Sequence, residues 1–372
     1  MNSFIPVNQP LIRAREKELV MDCLNTGWIS SEGPYVHQFE DAFSKRVGRN
    51  HGIACSNGTA ALDIAIAALK LGPGDEVIMP TFTIISCAAA LVRAGAVPVL
   101  VDADPQTWNM DPSQVRSVIT ERTAAILVVH IYGLPVDLDP ILDIAEQKHL
   151  AIIEDAAELI GGTYKNKPCG SFGTVSTFSF YPNKHITTGE GGMVVTDDSY
   201  LADRCRSLRN LCFQPKKRFI HDELGWNYRM TNMQAALGLA QLDFLDENLT
   251  LKKSMGRTYS DAFTFFESIQ LPLLSTDYAD NLFWVYGLIV DESYGTAQDV
   301  MQSLSELGIG TRPFFYPMHK QPVFQSIDSF KNVFAPVSER IAQQGFYIPS
   351  GLGLSSEQQQ HVIHSLVSIL NG

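Results

Sequence analysis

The feature that most constrains the fold is a set of short, almost wholly apolar runs separated by helical patterns. Glu76-Val-Ile-Met79, Val97-Pro-Val-Leu-Val-Asp102, Ala124-Ala-Ile-Leu-Val-Val-His130 and Ala151-Ile-Ile-Glu154 show little alternation of polar and apolar residues. Strands of this kind are buried on both faces, so helices must cover both sides of their sheet. Helical patterns from about Thr83, over 112–119 and over 138–148 supply that cover. The pattern predicts an α/β fold: a large three-layer domain with a mostly parallel sheet. After Asp246 the style changes. Phe283 to Asp291 reads as a strand, Ala297 to Leu307 as a helix, and Ser355 with Gln358 as a capping box. Val362, Ile363, Leu366, Val367 and Leu370 then repeat at helical spacing. A large domain over 1–246 with an N-terminal arm, and a smaller α/β domain over 247–372, are expected, with no disordered linker and no internal repeat.

Composition narrows the partners. A hydrophobic content of 45% over 372 residues supports a sizeable core. The formal charge of −12 disfavours nucleic acid, whose binding depends on neutralising phosphates. No apolar run is long enough to span a bilayer, and the opening Met1-Asn-Ser-Phe-Ile lacks the basic start of a signal peptide, so a soluble, cytoplasmic protein is expected. Cys23, Cys55, Cys87, Cys169, Cys205 and Cys212 form no C-x-x-C pair, and the nine histidines form no ligand array. Reduced, structural thiols and no metal are expected.

The chemistry concentrates in Thr177-Phe-Ser-Phe-Tyr-Pro-Asn-Lys184-His-Ile-Thr-Thr-Gly-Glu-Gly-Gly192, which sets a lysine between a strand pattern and a glycine cluster. A partly desolvated lysine is a nucleophile toward an aldehyde, as in a pyridoxal phosphate (PLP) Schiff base. Alone, the segment could equally be a hairpin. Three further segments supply the other groups such a site needs. Leu150 to Glu158 ends a buried strand in carboxylates, and because side chains alternate, Glu154 and Asp155 cannot both serve one ligand. Ser56-Asn-Gly-Thr59 precedes an apolar helix whose free N–H groups suit a phosphate. Asn227 and Arg229 sit in a polar loop before a helix capped by Thr231 or Asn232. Taken singly, these three read as a helix cap, a core helix and plain surface.

Together the four segments resemble the DegT-like nucleotide-sugar aminotransferases, PLP enzymes of fold type I, and the resemblance runs from Ile5-Pro-Val-Asn-Gln-Pro10 to the final helix. It implies that Lys184 bonds to the cofactor and then shuttles its proton. It implies further that Asp155 pairs with the pyridinium nitrogen and that Glu158, a Gln in several relatives, lies near the ring hydroxyl. Gly58, Thr59, the Ala60 backbone and Ser179 would bind the phosphate, with Asn227 reaching it from the neighbouring subunit of a homodimer with shared active sites. Many relatives place an aromatic at the position of Ile84, stacked on the ring; here the contact would be aliphatic, or Phe82 would compensate. A histidine in place of the lysine marks a dehydratase branch, but counting from Ser179 puts Lys184, not His185, in the catalytic place.

For the substrate, Thr26-Gly-Trp-Ile-Ser-Ser-Glu-Gly33 and Thr311-Arg-Pro-Phe-Phe-Tyr-Pro-Met-His319 combine aromatic and polar groups suited to a sugar and a diphosphate, with Trp28 and Phe314 read as interface residues. Arg312 and His319 are the expected ligand contacts, since a polar group in an aromatic segment needs a partner. Lys216-Lys217-Arg218 reads as a solvated loop or as a diphosphate clamp. The wording of these segments is most similar to the branch that aminates C4 of GDP-4-keto-6-deoxymannose with glutamate by a ping-pong mechanism, in O-antigen and lipopolysaccharide biosynthesis. A dTDP- or UDP-linked keto sugar, aminated at C4 or C3, is the alternative substrate. Two rival classes stay open: a metal-dependent glycosyltransferase built on Asp102-Ala-Asp104, and a PLP-fold regulator without turnover.

Overall fold

A computed structural model describes residues 4–214 and 216–371. Met1 to Ser3, on which part of the reading of the chain start rests, lie outside the described residues, as does Pro215 beside the basic run.

The strands are β1 (His51–Cys55), β2 (Glu76–Pro80), β3 (Val97–Val101), β4 (Thr123–Val129), β5 (Ala151–Asp155), β6 (Thr163–Tyr164), β7 (Lys167–Pro168), β8 (Val175–Ser179), β9 (Gly192–Thr196), β10 (Ile269–Gln270), β11 (Tyr286–Val290), β12 (Arg312–Pro313) and β13 (Gly345–Ile348). Seven of them form one sheet in the order β1-β9-β8-β5-β4-β2-β3. The β3-β2-β4-β5-β8 pairings are all parallel, and β9 runs antiparallel to both β8 and β1. Three of the apolar runs are the interior strands β5, β4 and β2, the last buried at every position, whereas the run over Val97–Val101 is the edge strand β3 and only partly buried. Neither β1 nor β9 is announced by such a run: β1 starts with His51-Gly52, and β9 emerges directly from the glycine cluster.

The helix Gly58–Ala68 shows why the sheet can be covered so closely. Its side chains are mostly alanine, leucine and isoleucine, and it buries Ala60, Ala61, Leu62, Ile64, Ala65, Ile66 and Ala68. Asn57 ends it, accepting a hydrogen bond from the Ala60 N–H at 2.8 Å. The helices Ile85–Ala94 and Asp139–Lys148 follow β2 and β4. The expected helix over 112–119 is a single turn, Pro112–Val115, continued as a 3-10 turn over Arg116–Val118.

A second, antiparallel sheet has the order β10-β11-β13-β12. Its core includes Tyr259, Phe263, Tyr286, Leu288, Phe346, Leu366 and Leu370, contributed in part by the helices Leu245–Phe263 and Ser356–Leu370. Position 247, where the sequence reading divides the chain, falls inside the first of these helices.

Two contacts fix this sheet to the larger one. Asp102, just past β3, accepts from the N–H groups of Val337 (3.0 Å) and Ser338 (2.8 Å) and from the Ser338 hydroxyl, so it caps the helix Pro336–Gln344. Gly133 sits at φ +101°, where a Cβ would come within 2.6 Å of the Trp284 nitrogen. Only glycine permits that approach, and the Gly133 carbonyl accepts from the Leu282 N–H at 2.8 Å. The segment entering β11 is therefore held against the large sheet at Trp284.

Asp104 accepts from the Gln106 N–H (3.0 Å), the Thr107 N–H (2.7 Å) and the Thr107 hydroxyl (3.0 Å). With one acid capping a helix and the other closing a turn, the Asp102-Ala-Asp104 pair is structural, and the glycosyltransferase reading loses its metal ligands. Among the described residues no helix is long and apolar enough to cross a membrane.

Candidate active site

A cavity of about 630 Å³ opens beyond the C-terminal ends of β4, β5 and β8, reached by Val129, Asp155 and Ser179. Ligand sites of open α/β sheets occupy this position. Gly58, Thr59, Ala60, Asp155, Glu158, Ser179 and Lys184 all line it, so residues far apart in sequence converge on one space.

The strand geometry sorts the two carboxylates at the end of β5. Glu154 turns away from the cavity and is fully buried. It accepts from the N–H groups of Gly170 (2.5 Å), Phe172 (2.9 Å) and Gly173 (3.0 Å) and from the Ser176 hydroxyl (2.9 Å). Because His130 Nδ1 accepts from the Val136 N–H at 3.1 Å, its Nε2 donates to Glu154 at 3.1 Å. Burial works to raise Glu154, yet donation from His130, Gly170 and Phe172 holds it below the ordinary value. His130, Glu154 and Cys169 lie within ligating reach of one another, but both imidazole nitrogens are already engaged, His130 with Glu154 and Val136.

Asp155 faces the cavity. Its Oδ1 accepts from the Ala157 N–H at 3.0 Å and its Oδ2 from the Cys87 thiol at 3.3 Å. Burial raises its pKa, opposed by those donors and by Lys184. Glu158 accepts from the Tyr132 N–H at 2.9 Å, and burial pushes it up to about 8.

Lys184 enters on a turn closed by its own N–H to the Tyr181 carbonyl at 2.9 Å. Its Nζ lies 4.0 Å from Glu158 Oε1 and 3.6 Å from the centroid of the Trp284 ring. Burial lowers its pKa, while Glu158, Asp155 and Cys87 pull it upward. His185 is fully buried and does not line the cavity, and its carbonyl accepts from Asn248 Nδ2 at 3.0 Å.

Another part of the cavity lining is suited to an anion. It combines the N-terminus of the helix Gly58–Ala68 with the hydroxyls of Thr59, Ser86 and Ser179, the first two 2.9 Å apart. A Cβ on Gly58 would lie 2.7 Å from the Ser179 Cβ, so the absent side chain keeps the cradle open. The Ala60 N–H is taken by Asn57, which leaves Gly58 and Thr59 as the first-turn donors. Two buried polar atoms on the wall, Thr177 Oγ1 and Asn183 Oδ1, have no partner. Orphaned groups beside a lysine, a carboxylate and an anion cradle fit a phosphorylated, polar-ringed cofactor such as PLP.

Of His319, Arg312, Phe82, Ile84 and Asn227, only Ile84 lines this chain's cavity. His319 is buried but does not line the cavity; it engages Thr81 Oγ1 (2.7 Å) and Glu339 Oε1 (3.0 Å), so protein groups supply the partner its surroundings require. Arg312 is exposed and outside the lining, but stands opposite Tyr347 in the β12–β13 register. Tyr347 is on the wall. Phe82 is buried among Tyr132, Phe314 and Phe315 instead of facing the ring position, while Ile84 lines the cavity and is 39% exposed. Asn227 is exposed, outside the cavity and bound to Arg229 Nε at 2.9 Å. The basic run lies in an exposed loop where Arg218 packs over Phe213 at 4.8 Å. The sequence reading gave no site role to Trp284 or Tyr347, which stand in apolar patterns, took Cys87 as a structural thiol, and included Phe315 only within the segment 311–319.

The sequence matches the DegT/DnrJ/EryC1/StrS aminotransferase family over residues 10–367. It is 41% identical over 370 residues to the GDP-perosamine synthase of Caulobacter vibrioides and 39% over 363 residues to that of Escherichia coli O157:H7, covering 98% of each chain in both pairs. Among solved structures it superposes on S. venezuelae DesV with a TM-score of 0.92, 30% identity and full coverage of both chains.

Proposed function

The chain belongs to the DegT/DnrJ/EryC1/StrS aminotransferase family, and on that premise we propose that it transfers an amino group from glutamate to C4 of GDP-4-keto-6-deoxymannose, forming GDP-perosamine. The observation that carries the choice of sugar is the likeness to GDP-perosamine synthases along nearly the whole length. The enzyme is PLP-dependent. Bound in the cavity, the cofactor supplies an aldehyde that accepts and returns the amino group, and a ring that takes up electrons from the reacting carbon.

The chain's own residues do the rest. Lys184 is the covalent attachment point and the acid and base that moves the proton at the reacting carbon through Nζ. Burial lowers its pKa, which favours the neutral amine. Asp155 holds a proton on the ring nitrogen, with the Cys87 thiol and Ala157 N–H fixing its carboxylate. Glu158, pushed up to about 8 by burial, would meet the ring hydroxyl. Gly58, Thr59 and Ser179 supply the donors at the phosphate end, with Ala60 on the same wall and its N–H held by Asn57. Asn227, exposed on its own chain, completes that end in a homodimer with shared sites. Arg312, beside the wall residue Tyr347, meets the nucleotide diphosphate at the mouth. We take the two sheets as the centres of two domains and the reaction as part of O-antigen and lipopolysaccharide biosynthesis.

The test is a half-reaction followed by absorbance. The PLP-loaded protein is converted with glutamate, then offered GDP-, dTDP- or UDP-linked 4-keto-6-deoxy sugars separately. Recovery of the starting spectrum with the GDP sugar is the expected result. Recovery only with another nucleotide would reassign the substrate and leave the cofactor chemistry standing.

A further inference from the structure

We propose that Trp284 is the positioning residue for Lys184: its indole face holds the Nζ in place as an ammonium, and its N–H anchors the loop from which the lysine projects. The Nζ stands 3.6 Å from the ring centroid, and the same ring donates from Nε1 to the Asn183 carbonyl at 2.9 Å. One side chain therefore grips both the charged end of the lysine and the backbone immediately before it.

The ring is itself fixed. Trp284 is 4% exposed, and its carbonyl accepts from the buried Lys252 at 2.8 Å. Gly133 lies against its backbone nitrogen. Tyr132 and Phe315 flank the indole at centroid distances of 5.9 and 6.5 Å.

Several titratable groups face Lys184: Asp155 and Glu158 at the end of β5, Cys87 from the helix Ile85–Ala94, and His185 on its own segment. The carboxylates can take the proton from the lysine, and Glu158 carries a proton of its own over part of the physiological range. An aromatic face attracts a cation without competing for its proton. Trp284 thus offsets the burial of the ammonium with a group that does not titrate, and the approach of the second sheet becomes part of the proton balance at the reacting centre. This deepens the proposed function and rests on it for its catalytic consequence, whereas the contact can be tested without it.

The test uses the full chain stripped of cofactor, with limiting acetic anhydride applied across a pH series and Lys184 labelling read by peptide mass spectrometry. Trp284→Leu is expected to raise the neutral-amine fraction of Lys184 at neutral pH about tenfold, the scale of a desolvated cation–π contact. Trp284→Phe, which keeps a ring, gives a smaller rise. Should the Leu variant not fold, tryptophan carrying one, two and three ring fluorines is incorporated instead, which weakens the face at nearly constant volume. The labelling midpoint is then expected to fall stepwise with fluorine number. An unchanged midpoint in a folded Trp284→Leu variant, or a flat fluorine series, would overturn the proposal. Either result leaves the glutamate half-reaction to judge the activity separately.

Discussion

Glu154 and Asp155 are neighbours in sequence that turn their carboxylates to opposite faces of one sheet, the first sealed by donors of the core and the second aimed into the cavity. Their amide variants should separate stability from chemistry. Glu154→Gln places an amide among N–H groups that need an acceptor, and should cost about 3 kcal/mol in urea unfolding with activity per folded molecule largely kept. Asp155→Asn should leave the unfolding midpoint nearly unchanged and slow turnover by orders of magnitude, about 10²-fold or more. Near-normal turnover in Asp155→Asn would move the ring-nitrogen role to another residue.

Lys184→Ala should abolish turnover and the visible absorbance of bound cofactor, because no other described lysine lines the cavity. Borohydride reduction of the unaltered protein, followed by peptide mapping, should find the cofactor on the peptide carrying Lys184. Full activity in the variant would remove the central assignment.

Glu158 gives a pH signature. Burial raises its pKa from 4.5 to about 8, so between those values the folded cofactor-free chain holds a proton that the unfolded chain has released. Its contribution is present below the unfolded value and is lost as pH rises toward 8. Glu158→Gln, neutral throughout, should therefore gain stability relative to the unaltered protein between pH 5 and pH 8, by on the order of 1 kcal/mol per pH unit. A difference that stays constant over that range in urea titrations would show that the carboxyl is not held protonated.

At the cradle, Gly58→Ala sets a methyl against Ser179 at a separation no real side chain tolerates. Cofactor affinity should drop at least about tenfold by fluorescence titration, the outcome of displacing one phosphate donor. Equal affinity would place the phosphate elsewhere in the cavity.

The residues legible in the sequence are those whose role is local. The apolar runs that became β2, β4 and β5 advertise burial on both faces, and Lys184, Gly58 and Asp155 stand next to turn or cap residues that mark strand ends and helix starts. Phe82 and His319 misled because an aromatic or imidazole group is equally well satisfied by the core, and which surroundings it meets depends on segments hundreds of residues away, as with Thr81 and His319. Trp284 was invisible for the same reason. Within an apolar strand pattern it looks like any core residue, and only the approach allowed by Gly133 brings it to Lys184. β1 and β9 escaped because glycines interrupt or adjoin their apolar residues, Gly52 within β1 and Gly189 to Gly192 at the start of β9.

The helix cap at Asp102 bears on protein engineering. The carboxylate belongs to the chain around the large sheet, while the helix end it satisfies belongs to the chain around the small one. A chimera that grafted residues 270–372 onto the front half of a relative would inherit a helix start without its acceptor unless the donor of the front half also brings an acid there. Asp102 is therefore a residue to check before any exchange of specificity-bearing segments between relatives.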